Sequence, residues 1–168
     1  MENLIERDLK VTLPAGTTYQ KFDDGHHGLS HCMKAVDFIV ELDDRMLFIE
    51  FKDPDDPTAI DHKNPAESIS EFLSGKLDAD LYYKYRDSYL YEMASGRAKK
   101  PIYYLVLIGA KALSDAELLA RTDALKRKLP VSGVKGNPWK KPFVAGCAVM
   151  NLQAWNKNLL WYSASRVS

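Results

Sequence analysis

The chain has 168 residues, of which 46% are hydrophobic and 27% charged, enough for one folded domain over 1–168 with its own core. No apolar run is long enough to span a bilayer, and Met1-Glu2-Asn3-Leu4 does not start a signal peptide, which excludes a membrane-spanning chain and points to the cytoplasm. The formal net charge is zero, but residues 1–95 carry 20 acidic against 10 basic side chains, and residues 96–168 carry 3 against 13.

That asymmetry has two readings. A basic half could hold phosphates while an acidic half holds a metal ion, or the two halves attract each other on folding. The two cysteines, Cys32 and Cys147, lack metal-ligand spacing and read as reduced thiols.

In chain order, residues 2–10 predict a short helix with Leu4, Ile5 and Leu9 on one face. Thr17 to Phe22 predicts a strand, and Asp23-Asp24-Gly25-His26-His27-Gly28 a loop. Met33 to Leu42 and Met46 to Lys52 predict two strands joined by a tight turn at Asp43-Asp44. Asp53-Pro54-Asp55-Asp56-Pro57 ends the second strand, because proline cannot continue a central ladder. Helices follow over 65–75 and 77–94. Ile102 to Ile108 is an apolar run suited to a buried strand, closed by Gly109. Ser114, with Asp115 and Glu117 behind it, starts a helix that stops before Pro130. Phe143 to Leu152 predicts a last strand, ahead of a segment holding Trp155 and Trp161-Tyr162.

Three residues of the central hairpin carry the chemistry. A two-residue turn places Asp37 directly opposite Glu50, and strand period puts Lys52 on the same face as Glu50. Like charges facing each other destabilise a sheet pair, and a divalent cation is the simplest offset. The alternative is an ordinary amphipathic pair, with Phe38, Val40, Leu42, Leu47, Ile49 and Phe51 inside and the charges in water. Ile39, Met46 and Phe48 share the charged face, so that face is not simply solvent-facing.

An acidic residue on one strand followed by Glu50-Phe51-Lys52 on the next resembles the PD-(D/E)xK nuclease superfamily over residues 1–110, with Val36 where the family pattern has proline. The resemblance implies an α/β fold: a restriction-endonuclease-like αβββαβ core with a mixed central sheet flanked by helices. It implies Asp37, Glu50 and Lys52 as catalytic residues. It also implies Mg²⁺ or Mn²⁺ held by Asp37, Glu50 and the backbone carbonyl of Phe51. The metal would neutralise the phosphate and acidify a bound water, and Lys52 would orient that water or stabilise the transition state. Glu6 is a candidate extra acidic residue on the first helix, or a plain surface glutamate. Glu41 reads as solvated or salt-bridged.

Lys84 and Arg86, on the helix after the Glu-x-Lys strand, could contact phosphate, and Tyr82 or Tyr83 could stack on a base. The tyrosines could equally pack on the sheet with the charges in water. Lys126-Arg127-Lys128, Lys135, Lys140 and Lys141, with Trp139 between, could grip a nucleic-acid backbone or form a solvated surface. His26, His27, His31 and His62 read as polar residues, with phosphate contact or proton transfer near Asp37 as the role if one acts. The expected activity is metal-dependent phosphodiester hydrolysis, as a DNA endonuclease working as a homodimer or with a specificity-giving partner subunit. The competing expectation is a non-catalytic nucleic-acid- or protein-binding module on the same scaffold.

Overall fold

The structure is a computed structural model that describes residues 1–25, 27–56, 64–130, 135–137 and 139–167. It is an α/β fold with one five-stranded mixed sheet, one three-stranded sheet and four helices.

The N-terminal segment corrects the sequence expectation. Residues 2–10 form strands, not a helix: β1 (Glu2–Glu6) pairs antiparallel with β2 (Leu9–Leu13), and Glu6 faces Leu9 across a turn at Arg7-Asp8. The spacing of Leu4, Ile5 and Leu9 suits a helix, but Leu9, Val11 and Leu13 alternate with Lys10 and Thr12. That two-residue period buries all three on one face with Leu4, while Ile5 stays exposed.

The large sheet has the order β3-β4-β5-β6-β7. Its strands are β3 (Thr18–Lys21), β4 (Phe38–Glu41), β5 (Met46–Lys52), β6 (Ile102–Ile108) and β7 (Gly146–Asn151). The first two pairings are antiparallel and the last two parallel. β5 is central and buried from Met46 to Phe51, which is why it reads as a nearly unbroken apolar run. β4 is shorter than the sequence suggests. Residues ahead of it leave the ladder because their backbone is held by a helix instead: the Lys34 N–H donates to Asp87 and the Val36 N–H to the Ser88 hydroxyl.

Parallel strands need a crossover, and α1 (Pro65–Ser74) and α2 (Asp78–Ala94) supply it between β5 and β6. Asn64 caps α1 through its side chain, and Ser114 with Glu117 forms a capping box at the start of α3 (Asp115–Lys128). Phe72, Leu81, Tyr85, Leu118 and Leu125 from these three helices pack on one face of the sheet, against Ile39, Phe48, Tyr104 and Val106. The C-terminal segment becomes α4 (Leu152–Asn158) and β8 (Ser163–Arg166), and β8 joins β2 to complete the small sheet. Leu4, Leu9, Val11 and Trp155 cover the opposite face, against Phe38, Leu47, Ile49 and Phe51. Each such buried side chain contributes roughly 1.5–3 kcal/mol. Among the described residues, no helix is long and apolar enough to cross a membrane.

Candidate functional site

The β4–β5 hairpin has the register expected from its turn. The Leu42 N–H donates to the Arg45 carbonyl around Asp43-Asp44, and Phe38 pairs with Ile49. One rung further, Asp37 meets the end of β5. Its Oδ2 accepts from the Phe51 N–H at 2.6 Å, and its own carbonyl accepts from the Phe22 N–H. Because side chains alternate along a strand, Asp37 and Glu50 share the helix-covered face with Ile39 and Phe48. They are therefore not solvated: Asp37 is 4% exposed and Glu50 0%.

Two lysines answer this buried negative charge. Lys52 lies at the rim, its ammonium 2.9 Å from Glu50 Oε1 and 3.5 Å from Asp80 Oδ2. Lys84 comes down from α2 between the carboxylates, 2.7 Å from Glu50 Oε1 and 3.3 Å from Asp37 Oδ1. Asp80 and Lys84 are one helical turn apart, which puts both on the site-facing side of α2, and Asp80 is also paired with Lys34. Both lysines converge on one oxygen of Glu50. The other, Oε2, is buried and meets no hydrogen-bond donor among the described residues. A buried polar atom without a partner is uncommon and costly.

The electrostatics follow from that geometry. Burial, then the neighbouring Glu50 charge, raises the Asp37 carboxyl from its usual acidic value to about 7, although Lys84 and the Phe51 N–H pull the other way. Burial works against charge on Lys84, but Glu50 and Asp37 outweigh it and hold the ammonium above its ordinary pKa. Burial disfavours ionised Asp80 too, yet Lys34, Lys52 and Lys84 together lower its pKa.

The cluster opens into a cleft of about 430 Å³ at the carboxyl ends of the parallel strands β5 and β6, where ligands commonly bind in open α/β sheets. Glu6 and Arg7 from the β1–β2 turn, with Asp23, Asp56 and Glu71, form its walls. Glu6 thus reaches the site region from a strand rather than a helix, and it is held by Lys21. Gly109 closes β6 beside the cleft. A Cβ there would lie 2.2 Å from Asp53 Oδ1, so no larger residue fits without movement.

Other sequence candidates are not brought to the cluster. Arg86 is exposed, bonded to Asp87 and stacked over the Tyr83 ring at 4.7 Å. Lys140 and Lys141 are exposed and do not line the cleft. Glu41 is exposed and paired with Lys100. His27 accepts from the Leu29 N–H and packs between Phe22 and Tyr91, and His31 is exposed. His26 and His62 lie outside the described residues. Cys32 and Cys147 are both free thiols, the first exposed and the second buried. Lys100, Arg121 and Arg166 of the basic half pair with Glu41, Asp78 and Asp8 of the acidic half, which supports mutual attraction of the halves. Asp80 and Arg7 escaped the sequence reading. The Asp80–Lys84 spacing was a usable signal, whereas Arg7 had none.

Among the described residues, no group of three or more His, Cys, Asp and Glu side chains is arranged to hold a metal ion. The donor set at the cluster is two carboxylates, one of them with a buried oxygen lacking a donor. That set fits a hard divalent cation that keeps several of its waters, and does not fit zinc. The chain matches no protein-family model, no curated protein and no solved structure.

Proposed function

We propose that the chain is a divalent-metal-dependent nuclease that hydrolyses phosphodiester bonds, acting on DNA as an endonuclease. One observation carries the reading: Asp37 and Glu50 are buried side by side at the mouth of a cleft, with two lysine ammoniums beside them and one carboxylate oxygen left without a donor. A like-charge pair of this kind is costly to a fold and is the type of arrangement kept for chemistry. The order β3, β4, β5, α2, β6 supports a restriction-endonuclease-like core, with the β1–β2 hairpin ahead of it where the αβββαβ pattern has its first helix.

In this proposal Asp37, Glu50 and the Phe51 carbonyl hold Mg²⁺ or Mn²⁺. When bound, the ion supplies charge neutralisation and a more acidic water. The chain's own groups do the rest. The Phe51 N–H fixes the Asp37 carboxylate against β5. Lys52, part-exposed at the cleft, orients the attacking water and places positive charge where the phosphate gains negative charge. Lys84 neutralises both carboxylates before substrate arrives, and then serves as a second cation facing the phosphate. Burial and the Glu50 charge raise the Asp37 carboxyl to about 7, so a bound ion would compete with its proton and metal affinity would rise with pH up to about that value. One site per chain cuts both strands as a homodimer or with a partner subunit that supplies specificity.

A specific observation favours a second reading. Lys84 already compensates Asp37 and Glu50, as it would in a non-catalytic binding scaffold. Incubation of the purified protein with circular and linear DNA, in Mg²⁺, Mn²⁺ or EDTA, beside Asp37→Ala and Lys52→Ala, separates the two. Metal-dependent loss of the circle that both variants abolish is the expected result. Wild type that cuts no DNA in either metal would favour the scaffold.

A further inference from the structure

Arg7 is the one non-glycine residue with positive φ among the described residues, at +53°. It sits in the two-residue turn between β1 and β2, where glycine would be free of the conflict between Cβ and the following carbonyl that other residues meet. Local strain of this kind persists when the surroundings enforce it, and it concentrates at functional sites. Here the turn projects Arg7 into the wall of the cleft that holds Asp37, Glu50 and Lys52.

The charges of that wall make the placement informative. Among the described residues three cations line the cleft: Lys52 and Lys84, both paired with the carboxylates, and Arg7. The walls also carry Glu6, Asp23, Asp53, Asp56 and Glu71, of which Glu6 and Asp23 pair with Lys21, Asp53 with Arg166 and Glu71 with Lys76. Arg7 donates from Nη1 to Asp56 Oδ2 at 3.4 Å. The Asp56 side chain is 1% exposed and that of Arg7 is 54% exposed. A long bond to a buried carboxylate aims the guanidinium and leaves its outer edge toward solvent. A guanidinium offers five donors, and one anchored edge leaves a second for a planar, bidentate anion contact.

We infer that Arg7 is a phosphate-binding residue of the cleft, positioned by its left-handed backbone and by Asp56 to grip a backbone phosphate of a nucleic-acid strand lying across the mouth. The inference rests on the nuclease reading and deepens it, because it names a substrate-binding group on a hairpin outside the β4–β5 motif. The contact carries no sequence information; it fixes the register of the strand over Asp37 and Glu50.

Arg7→Gly tests it on a backbone that glycine accepts at positive φ, at the cost of one donor to the buried Asp56. Binding of a short fluorescein-labelled duplex, and of its single strand, is measured by anisotropy across a salt series in the Lys52→Ala background, with and without Arg7→Gly. Thermal midpoints are measured beside it. Arg7→Gly is expected to stay folded at the temperature of the binding assay, to weaken binding about tenfold, and to make the slope of log affinity against log salt shallower by about one. Arg7→Lys is expected to restore the slope but not the full affinity, because a lysine lacks the bidentate edge. Unchanged affinity and slope in Arg7→Gly would overturn the role of Arg7 while leaving the nuclease reading intact. Failure of both wild type and the Lys52→Ala parent to bind either strand form in Mg²⁺ or Mn²⁺ would overturn both.

Discussion

Two buried ion networks lie within a few residues of each other at the end of β5, and they are built differently. At Asp53, Oδ2 accepts from Arg166 Nη1, and Oδ1 accepts from Arg166 Nη2 and the Asp55 N–H. Arg166 further donates to Asp8 and to the Gly109 carbonyl. Both oxygens of Asp53 are answered, and the bonds tie β8, the β1–β2 turn and the end of β6 together. At Glu50, two ammoniums crowd one oxygen and the other has no donor among the described residues, while burial pushes the adjacent Asp37 to a pKa of about 7. The first network is organised to hold the fold. The second is tolerated by the fold, and such under-satisfied charge is what a bound ion or substrate would complete.

The largest effect that sharpens this contrast is on activity. Lys52→Ala is expected to slow cleavage by at least about 10³-fold, close to 4 kcal/mol of transition-state stabilisation, while costing about 1 kcal/mol or less of stability. Single-turnover cleavage beside urea denaturation reads both. Equal losses in the two would make Lys52 a structural cation and erase the difference between the networks.

The opposite pattern is expected at Arg166. Arg166→Ala leaves the nearly buried Asp53 with only the Asp55 N–H and the Gly109 carbonyl without its Arg166 donor, and should cost about 3 kcal/mol in urea unfolding. Gly109→Ala should act in the same direction by about 1–3 kcal/mol, since its Cβ would strike Asp53. A folded Arg166→Ala protein with wild-type stability would show that the satisfied network is dispensable.

The pH dependence has a definite sign. Burial raises the Asp37 pKa from its ordinary value of 3.8 to about 7 on folding, so between those values the native state binds more protons than the unfolded chain. The stability of wild type relative to Asp37→Asn should therefore be greatest near pH 4. It should hold that value below pH 4, fall by about 3 kcal/mol as pH rises to 7, and change little above that. A relative stability that rises over this window would mean that Asp37 is stabilised in its charged form.

These contrasts were only partly legible in the sequence. The register of β4 against β5 was, because Asp43-Asp44 fixes a two-residue turn and the alternation on either side admits one pairing. The burial of Asp37 and Glu50 followed from Ile39 and Phe48 sharing their face. What docks on that face was not: Lys84 read as a phosphate contact, because its approach to Glu50 depends on how α2 lies on the sheet. The N-terminal hairpin was hidden by Leu4, Ile5 and Leu9, whose spacing satisfies a helix as well as a strand pair. The Asp53–Arg166 bond spans 113 residues and depends on β8 returning to β2, a pairing that no local pattern announces.

The smallest expected effect is at Arg86. Its guanidinium is exposed and outside the cleft, and the buried Asp87 it pairs with keeps the Lys34 N–H, so Arg86→Ala should cost about 1 kcal/mol or less and leave cleavage unchanged. A large loss of cleavage there would extend the site across the outer face of α2.

The most direct measurement is the thermal midpoint of wild type and of Glu50→Gln as Mn²⁺ is added, at a pH above 7 where Asp37 is ionised. Wild type should gain stability with rising Mn²⁺, by about 2.7 kcal/mol at a hundredfold excess over its dissociation constant, and Glu50→Gln should gain little. An equal response of the two proteins, or none in either, would contradict the assignment of Asp37 and Glu50 as a cation site.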